Sequence, residues 1–490
     1  MSVAPFKAQN MSLNSYVTTR GEEIGRAQAT QAWAAGIEPE AVMNPVLLKP
    51  GTDRRSHVVV LGRPAGELDA GSGWGARGAL LDVVVDAYRD LRARFDVVVC
   101  EGAGSPAEIN LRDGDIVNMG FARAAGVPAV LVGDIDPGGV LAAFAGTLAL
   151  LEPEDQDLVH GLIVNKFRGD PDLLRPGLEA LAARTGRPTY GVVPLVAGVA
   201  LDAEDSLDPL GHGDPGPPAG GDVLRVAVVR FPRASNLTDL DPLTAEPGVV
   251  VRFVARPEET ADADLVVLPG TRETVADLAW LRQRGFGAAL ALRARTGRPV
   301  LGLCGGFQML GGRIEDGVES GAAAVGGLGL LPVRTVFGAE KVLARPERVL
   351  PDGSVVRGYE IHHGRVEVGG GSPFFADQGC RRGPVAGTTW HGLLENDAFR
   401  RSYLVEVAAA CGRDFRPAPG PGFAAWRERR LDVLGELVGT HLDTAALLRV
   451  LEGGAATPPR VALSLAPRHP VGGGGHRRPD GPGGRPPGGP

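Results

Sequence analysis

Cysteine is scarce in this chain, with four residues in 490 at Cys100, Cys304, Cys380 and Cys411, and no CxxC pair among them. That spacing argues against a disulfide framework or a zinc site. No apolar run reaches the ~18 residues that a membrane span needs. No charged segment followed by an apolar one opens the chain, as a secretory leader would. Basic residues are not in excess either. The formal net charge is −7, which gives no reason to expect nucleic acid as a partner. Together these absences predict a cytoplasmic enzyme without a membrane or nucleic-acid partner; the oligomeric state is not legible.

What is present points to two α/β domains. A chain of 490 residues is too long for one core. Hydrophobic content of 43% and charged content of 22% fit a globular protein. The first half carries the apolar runs SVAPFKA, HVVVLGRP, FDVVVCEGAG, AVLVGDID and GLIVNKF, most of them closing on Gly, Asp or Asn. Buried parallel strands read this way, with function at their carboxyl ends. Helix-like stretches such as LLDVVVDAYRDLRARF lie between them. A doubly wound domain over 1–202 is expected, then a Gly/Pro/Asp-rich linker over 203–222. A second α/β domain is expected over 223–452, closed by the helical stretch RLDVLGELVGTHLDTAALLRVLEG. The Pro/Gly/Arg-rich tail over 453–490 should be without structure.

The strongest chemical signal is PVLGLCGGFQMLGG, an apolar strand running into Cys304 and then two glycines. A nucleophile on a sharp strand-to-helix turn needs small neighbours, and the helix N-terminus behind it favours the thiolate. A buried structural cysteine is the alternative, but few structural reasons place glycine on both sides of a thiol. The segment resembles the nucleophile elbow of class I glutamine amidotransferases. The resemblance implies attack of Cys304 on the side-chain amide of L-glutamine. It implies backbone oxyanion donors at Gly305 and, in LVVLPGTRET, at Gly270 and Thr271. The base should be a distant histidine; His362, His363 and His391 are candidates, and the resemblance selects His391. The glutamate that often follows such a histidine by two residues is Leu393 here. Glu395 and Asp397 could orient the ring, but the orienting group stays open.

The segments PFKAQNMSLNS, EIGRAQ, MNPVLLKP, CEGAGSPAEINLRDGDIVNM, GDIDPGGV, NKFRGD, FPRASNLTDLDPL and LPGTRETVADLAWL occur in that order. They are similar to segments of the cobyric acid synthases. The resemblance implies a P-loop-like, dethiobiotin synthetase-like domain joined to a class I amidotransferase-like domain. It implies ATP- and glutamine-dependent amidation of a corrinoid, with Mg²⁺. Nucleotide or metal candidates are Lys7, Glu101, Asp134, Asn165 and Lys166, with Glu101 placed where a Mg²⁺-binding carboxylate would stand. Substrate candidates are Gln9, Asn10, Asn14, Asn110, Arg112 and Asp113. The competing readings are a cobyrinic acid a,c-diamide synthase-like enzyme, a truncated form with glutaminase activity but defective ATP-dependent ligation, and a defective corrinoid- or nucleotide-binding protein. The AQNMSLNS block weighs against the first, and the intact Cys304 with His391 against the last.

The family opens on a strand and a glycine-rich loop ending in G-K-[ST], whose backbone N–H groups wrap the triphosphate. The 490 residues contain no such motif, and Met1 falls where the family's second strand begins. One βα unit, on the order of 30 residues, is expected to lie upstream. A late start site explains this better than a short polypeptide, because a lost central strand exposes apolar surface. A form extended upstream is therefore expected to melt at a higher temperature; equal melting points would count against it.

Overall fold

The valine-rich runs do form strands. In the computed structural model, residues 1–52, 55–69, 75–196, 216–453 and 456–462 are described. The first domain contributes β1 (Val3–Lys7), β2 (Ser15–Val17), β3 (Glu23–Gly25), α1 (Arg26–Ala34), α2 (Gly75–Arg94), β4 (Val97–Glu101), β5 (Ala129–Asp134), β6 (Val159–Phe167) and β7 (Thr189–Pro194). Strand β1 lies parallel to β4 in a register that sets Lys7 opposite Glu101. Strands β7, β6 and β5 form a separate parallel sheet in that order. One strand of each sheet is unusually open. Val99 on β4 is 60% exposed and Val132 on β5 is 62% exposed, whereas parallel strands are ordinarily covered on both faces.

One run behaves differently from expectation. HVVVLGRP does not join the parallel sheet. Residues Arg55–Val60 pair antiparallel with Val46–Thr52 and with Arg63–Asp69. The cause is the two-residue turn Leu61–Gly62, where both φ angles are positive (44° and 75°), as a tight hairpin with right-handed strand twist requires.

The second domain contributes β8 (Leu224–Val229), β9 (Val249–Val254), β10 (Leu265–Leu268), β11 (Val300–Leu303), α3 (Gly305–Leu310), β12 (Glu360–Val368), β13 (Cys380–Arg382), β14 (Val385–Thr388), α4 (Asp397–Cys411), α5 (Phe423–His441) and α6 (Thr444–Leu451). Its main sheet has the order β9-β8-β10-β11-β14-β13 and is parallel except at the β13 edge. A large apolar core covers it.

Helices α5 and α6 were expected to close the second domain. They cross back to the first instead. Leu442 bridges Gly191 of β7, and the Asp443 N–H donates to the Tyr190 carbonyl at 2.7 Å. Leu437, Leu442, Ala446, Leu447 and Val450 pack against Ile163, Tyr190 and Val193. A glycine at 191 is needed there, because a Cβ would stand 2.2 Å from the His441 carbonyl oxygen. Part of the tail expected to lack structure also docks on the first domain. Arg460 pairs with Asp157 at 2.6 Å, and Val461 exchanges two hydrogen bonds with the Gln156 side chain. The expected linker falls mostly outside the described residues, as do residues 454–455 and 463–490 of the tail.

The domains meet through buried groups. Tyr359 and Ile361 of the second domain enter the first domain's core beside Tyr16, Val17 and Ile24. Glu23, fully buried, accepts from Lys49 at 2.6 Å and from Lys341 of the second domain at 2.5 Å. Burial alone would raise the Glu23 carboxyl, but the two ammonium groups hold it well below the usual carboxylate range. Burial draws Lys49 down to about 8 even with Glu23 beside it.

Candidate active site

Strand β11 delivers Cys304 to the start of α3 in a conformation that side chains rarely adopt, with φ 48° and ψ −110°. The backbone holds it there. Its N–H donates to the Thr388 carbonyl at 2.8 Å. The surrounding glycines are required by space. A Cβ at Gly302 would lie 2.6 Å from Leu310, one at Gly305 would lie 2.6 Å from Thr271, and one at Gly306 would lie 2.0 Å from the Leu268 carbonyl oxygen. This close packing accounts for the glycines of the G-x-C-G-G pattern. Backbone strain of this kind is held at functional sites by the structure around it.

His391 follows β14, is 2% exposed, hydrogen-bonds to Asp239, and lies near enough to Cys304 for that side chain to act on its ring. Its Nδ1 lies 2.7 Å from Asp239 Oδ2, while the other carboxylate oxygen accepts from the Gly392 N–H at 2.8 Å. Burial alone would depress the imidazole. The Asp239 carboxylate and the Cys304 side chain outweigh it and push the ring up to about 10. Glu395 and Asp397, the two acids left open as orienting groups, are engaged elsewhere. Glu395 pairs with Arg26 and Arg427, and Asp397 pairs with Arg400 and caps Phe423. Asp239 was missed as a site residue, although it lies inside the FPRASNLTDLDPL segment. No local pattern ties an acid there to a histidine 152 residues later.

The oxyanion candidates converge. Gly305 opens α3, so its N–H has no intrahelical acceptor. The Thr271 nitrogen lies 3.2 Å from where a Gly305 Cβ would be, and Gly270 packs against Ser235 and the His391 ring. His362 and His363 stand aside from the Cys304–His391 pair. His362 Nε2 meets Glu360 at 3.1 Å, and His363 Nδ1 meets the Gly338 carbonyl at 3.1 Å.

In the first domain the parallel register makes a second polar centre. Lys7 donates to Glu101 Oε1 at 3.0 Å, and Gln31 on α1 donates to Oε2 at 2.9 Å. Asp134 and Lys166 pair at 2.7 Å across the ends of β5 and β6, with Asn165 accepting from the Lys166 backbone. Asn10 bonds Gln28 at 2.9 Å, and Gln9 is half-buried beside it. Asn110 and Asp113 are exposed on the loop after β4. Arg112 is held by an acid. Its guanidinium forks onto buried Asp155 at 2.7 and 2.9 Å. Asn14 lies at the domain junction, where its Oδ1 accepts from the Leu237 N–H at 3.2 Å.

Residues 1–210 match the CobQ/CobB/MinD/ParA nucleotide binding domain, and residues 225–399 match the CobB/CobQ-like glutamine amidotransferase domain. A cobyric acid synthase of Streptomyces avermitilis is 60% identical over 461 residues, which are 93% of this chain and 91% of that one. The Streptomyces coelicolor protein of the same name shows the same identity and coverage. One from Frankia casuarinae is 59% identical over 92% of this chain and 91% of its own. The chain belongs to the cobyric acid synthase family.

As a member of the cobyric acid synthase family it is a glutamine-dependent ligase with an N-terminal nucleotide-binding domain and a C-terminal amidotransferase domain. The matched amidotransferase region ends at 399, ahead of the α5 and α6 helices that return to the first domain. The carboxylate that meets His391 lies in a segment before Cys304, whereas Glu395 and Asp397, nearer the histidine in sequence, bind arginines.

Proposed function

We propose that Cys304, His391 and Asp239 form a glutaminase whose ammonia is used by the first domain to amidate peripheral carboxylates of adenosylcobyrinic acid a,c-diamide, giving adenosylcobyric acid. The Asp239–His391 contact at 2.7 Å, beside a strained Cys304, is the observation that carries the reading. Cys304 Sγ attacks the glutamine Cδ, and the C–N bond breaks. His391 passes the thiol proton to the leaving nitrogen, so ammonia departs and a thioester remains. Water then releases glutamate. Gly305 and Thr271, with Gly270 shaping the loop, receive the oxyanion. In the first domain ATP phosphorylates a carboxylate of the corrinoid. Ammonia attacks the acyl carbon and phosphate leaves.

Lys7 and Lys166 carry the positive charge suited to phosphate, with Asp134 and Asn165 beside Lys166. Gln9, Asn10, Asn110 and Asp113 supply polar groups toward the corrinoid. Mg²⁺ fits as an ion that arrives with the nucleotide. Glu101 offers one carboxylate, and among the described residues no group of three or more His, Cys, Asp or Glu could hold an ion by itself. In nucleotide sites Mg²⁺ keeps waters and phosphate oxygens as most of its ligands, so Glu101 would complete the set. Bound there, the ion would neutralise charge developing on the transferring phosphoryl group.

The test is a product assay. The chain is incubated with ATP, Mg²⁺, glutamine and the a,c-diamide, and the corrinoid is followed by mass spectrometry. Stepwise amidation is expected. Cys304→Ala should abolish it with glutamine and restore it with ammonium salts. Failure of ammonium to restore it would sink the division of labour between the domains.

A further inference from the structure

The loop that carries Asp239 is held by the other domain. Asn236 opens the turn Leu237–Leu240 with a left-handed backbone, φ 52° and ψ 42°, and is 4% exposed. Its side chain reaches into the first domain. The Ser15 N–H donates to Asn236 Oδ1 at 3.2 Å, and Asn236 Nδ2 donates back to the Ser15 carbonyl at 3.4 Å. Next to it, the Leu237 N–H donates to Asn14 Oδ1 at 3.2 Å. The Asn236 carbonyl in turn accepts from the Asp239 N–H at 3.1 Å.

The same first-domain strand also reaches the histidine. The Tyr16 ring meets the Tyr359 ring edge-on at 5.0 Å, and Tyr359 stacks on His391 at 5.3 Å. Tyr359 and His391 exchange backbone hydrogen bonds of 3.0 and 2.8 Å. Strand β2 thus touches the support of both the acid and the base. It is also tied to the first domain's polar centre. The Asn14 carbonyl accepts from the Arg26 N–H at the start of α1, and Gln31 of α1 donates to Glu101.

We propose that Asn236 is a positioning residue of the glutaminase, anchored by Asn14 and Ser15, so that the first domain sets the geometry of Asp239 against His391. This rests on the glutaminase reading above. A carboxylate on a short irregular turn has no sheet or long helix to fix it, and the reciprocal amide contact supplies the missing support. A misplacement of about 1 Å at such a group is enough to slow catalysis on the order of a hundredfold. The titratable groups around His391 are Asp239, Cys304, Tyr359 and Glu360, and Asn236 touches two of them: its carbonyl accepts from the Asp239 N–H, and its Nδ2 donates to the Tyr359 hydroxyl at 3.5 Å.

The experiment compares Asn236→Gly with the parent chain. Glycine keeps the left-handed backbone and removes the side-chain contacts with Ser15. The expected result is a fall in kcat for glutamine hydrolysis of about tenfold or more, with KM changed by less than about threefold. The alkaline limb of the pH profile should move to lower pH, because Asp239 no longer holds the charged imidazole. The loss with glutamine should exceed the loss of ammonium-dependent ligation. A kcat and pH profile equal to the parent's in Asn236→Gly would overturn the proposal. Should that variant melt within the assay range, Asn236→Asp, which keeps the acceptor but not the donor, decides by kcat and KM alone, because its added carboxylate would itself raise the imidazole. Glutamine hydrolysis that persists in Cys304→Ala would instead condemn the glutaminase reading itself.

Discussion

Asp239→Asn should lower kcat for glutamine hydrolysis by about 10⁴-fold, the loss seen when the orienting acid of a nucleophile–histidine–acid triad is neutralised. Asparagine fills the same space and still accepts from the Gly392 N–H, so the fold should survive. What changes is the imidazole. In the parent chain the ring sits at about 10 against an ordinary 6.5, with Asp239 the first of the groups that raise it against burial. Without that charge the ring loses its proton earlier and its preferred tautomer. A raised folded pKa means the charged ring contributes fully below about 6.5 and loses that contribution as pH rises through about 10. The parent should therefore exceed the variant in melting temperature at neutral pH, with the gap closing toward pH 10. Ammonium-dependent ligation measures the other domain and should fall much less. A variant that hydrolyses glutamine at the parent's rate would remove Asp239 from the triad.

The second large effect lies at the junction. Glu23→Gln should destabilise the protein by about 3–5 kcal/mol, the cost of removing one partner from a buried ion pair. Lys49 and Lys341 have side chains only 4% and 6% exposed, so neither can reach water as charged groups without opening the interface. Lys49 already titrates at about 8. Losing Glu23 removes the charge that raises it, so the folded state should prefer the neutral amine more strongly. The unfolded chain then binds more protons than the folded one at neutral pH, and stability should rise with pH. The deficit of the variant should thus be largest near neutrality and shrink toward pH 10. Melting curves across that range test it. An equal melting temperature for both forms at pH 7 would show that the cluster does not hold the domains together. Replacing all three residues by apolar ones of similar size should recover much of the loss, since a well-packed apolar substitute for a buried ion cluster is often neutral or stabilising.

Much of this was legible in the sequence, for reasons that are local. Cys304 announces itself because a strained elbow needs its glycines within a few residues, and those glycines are visible. Strands β1, β4, β5 and β6 are legible because a parallel strand is apolar on both faces. The failures have a shared cause, which is pairing at long range. Arg55–Val60 has the same apolar run as its parallel counterparts, and only the Leu61–Gly62 turn distinguishes it. Asp239 is one of several acids in an ordinary-looking segment, and its role appears only when β14 brings His391 to it. Arg112 reads as a loop cation available to substrate until Asp155 is seen to occupy it. Helices α5 and α6 are correct as helices and misplaced as to domain, because amphipathicity tells that a helix has a buried face and not what covers it.

That last placement changes what kind of two-domain protein this is. Among the described residues the polypeptide runs from the first domain into the second and then returns to pack on β7 of the first. The amidotransferase is inserted into its partner rather than appended to it. A cut between residues 196 and 216 would not release two separate proteins. The downstream fragment would still hold the upstream one through α5, α6 and the segment at Arg460. Expressing the domains as independent halves split at that point would leave β7 bare on one half and two helices without a sheet on the other. Any rearrangement between the domains during turnover has to run through two connections, so a hinge with one pivot is replaced by a motion tethered at both ends.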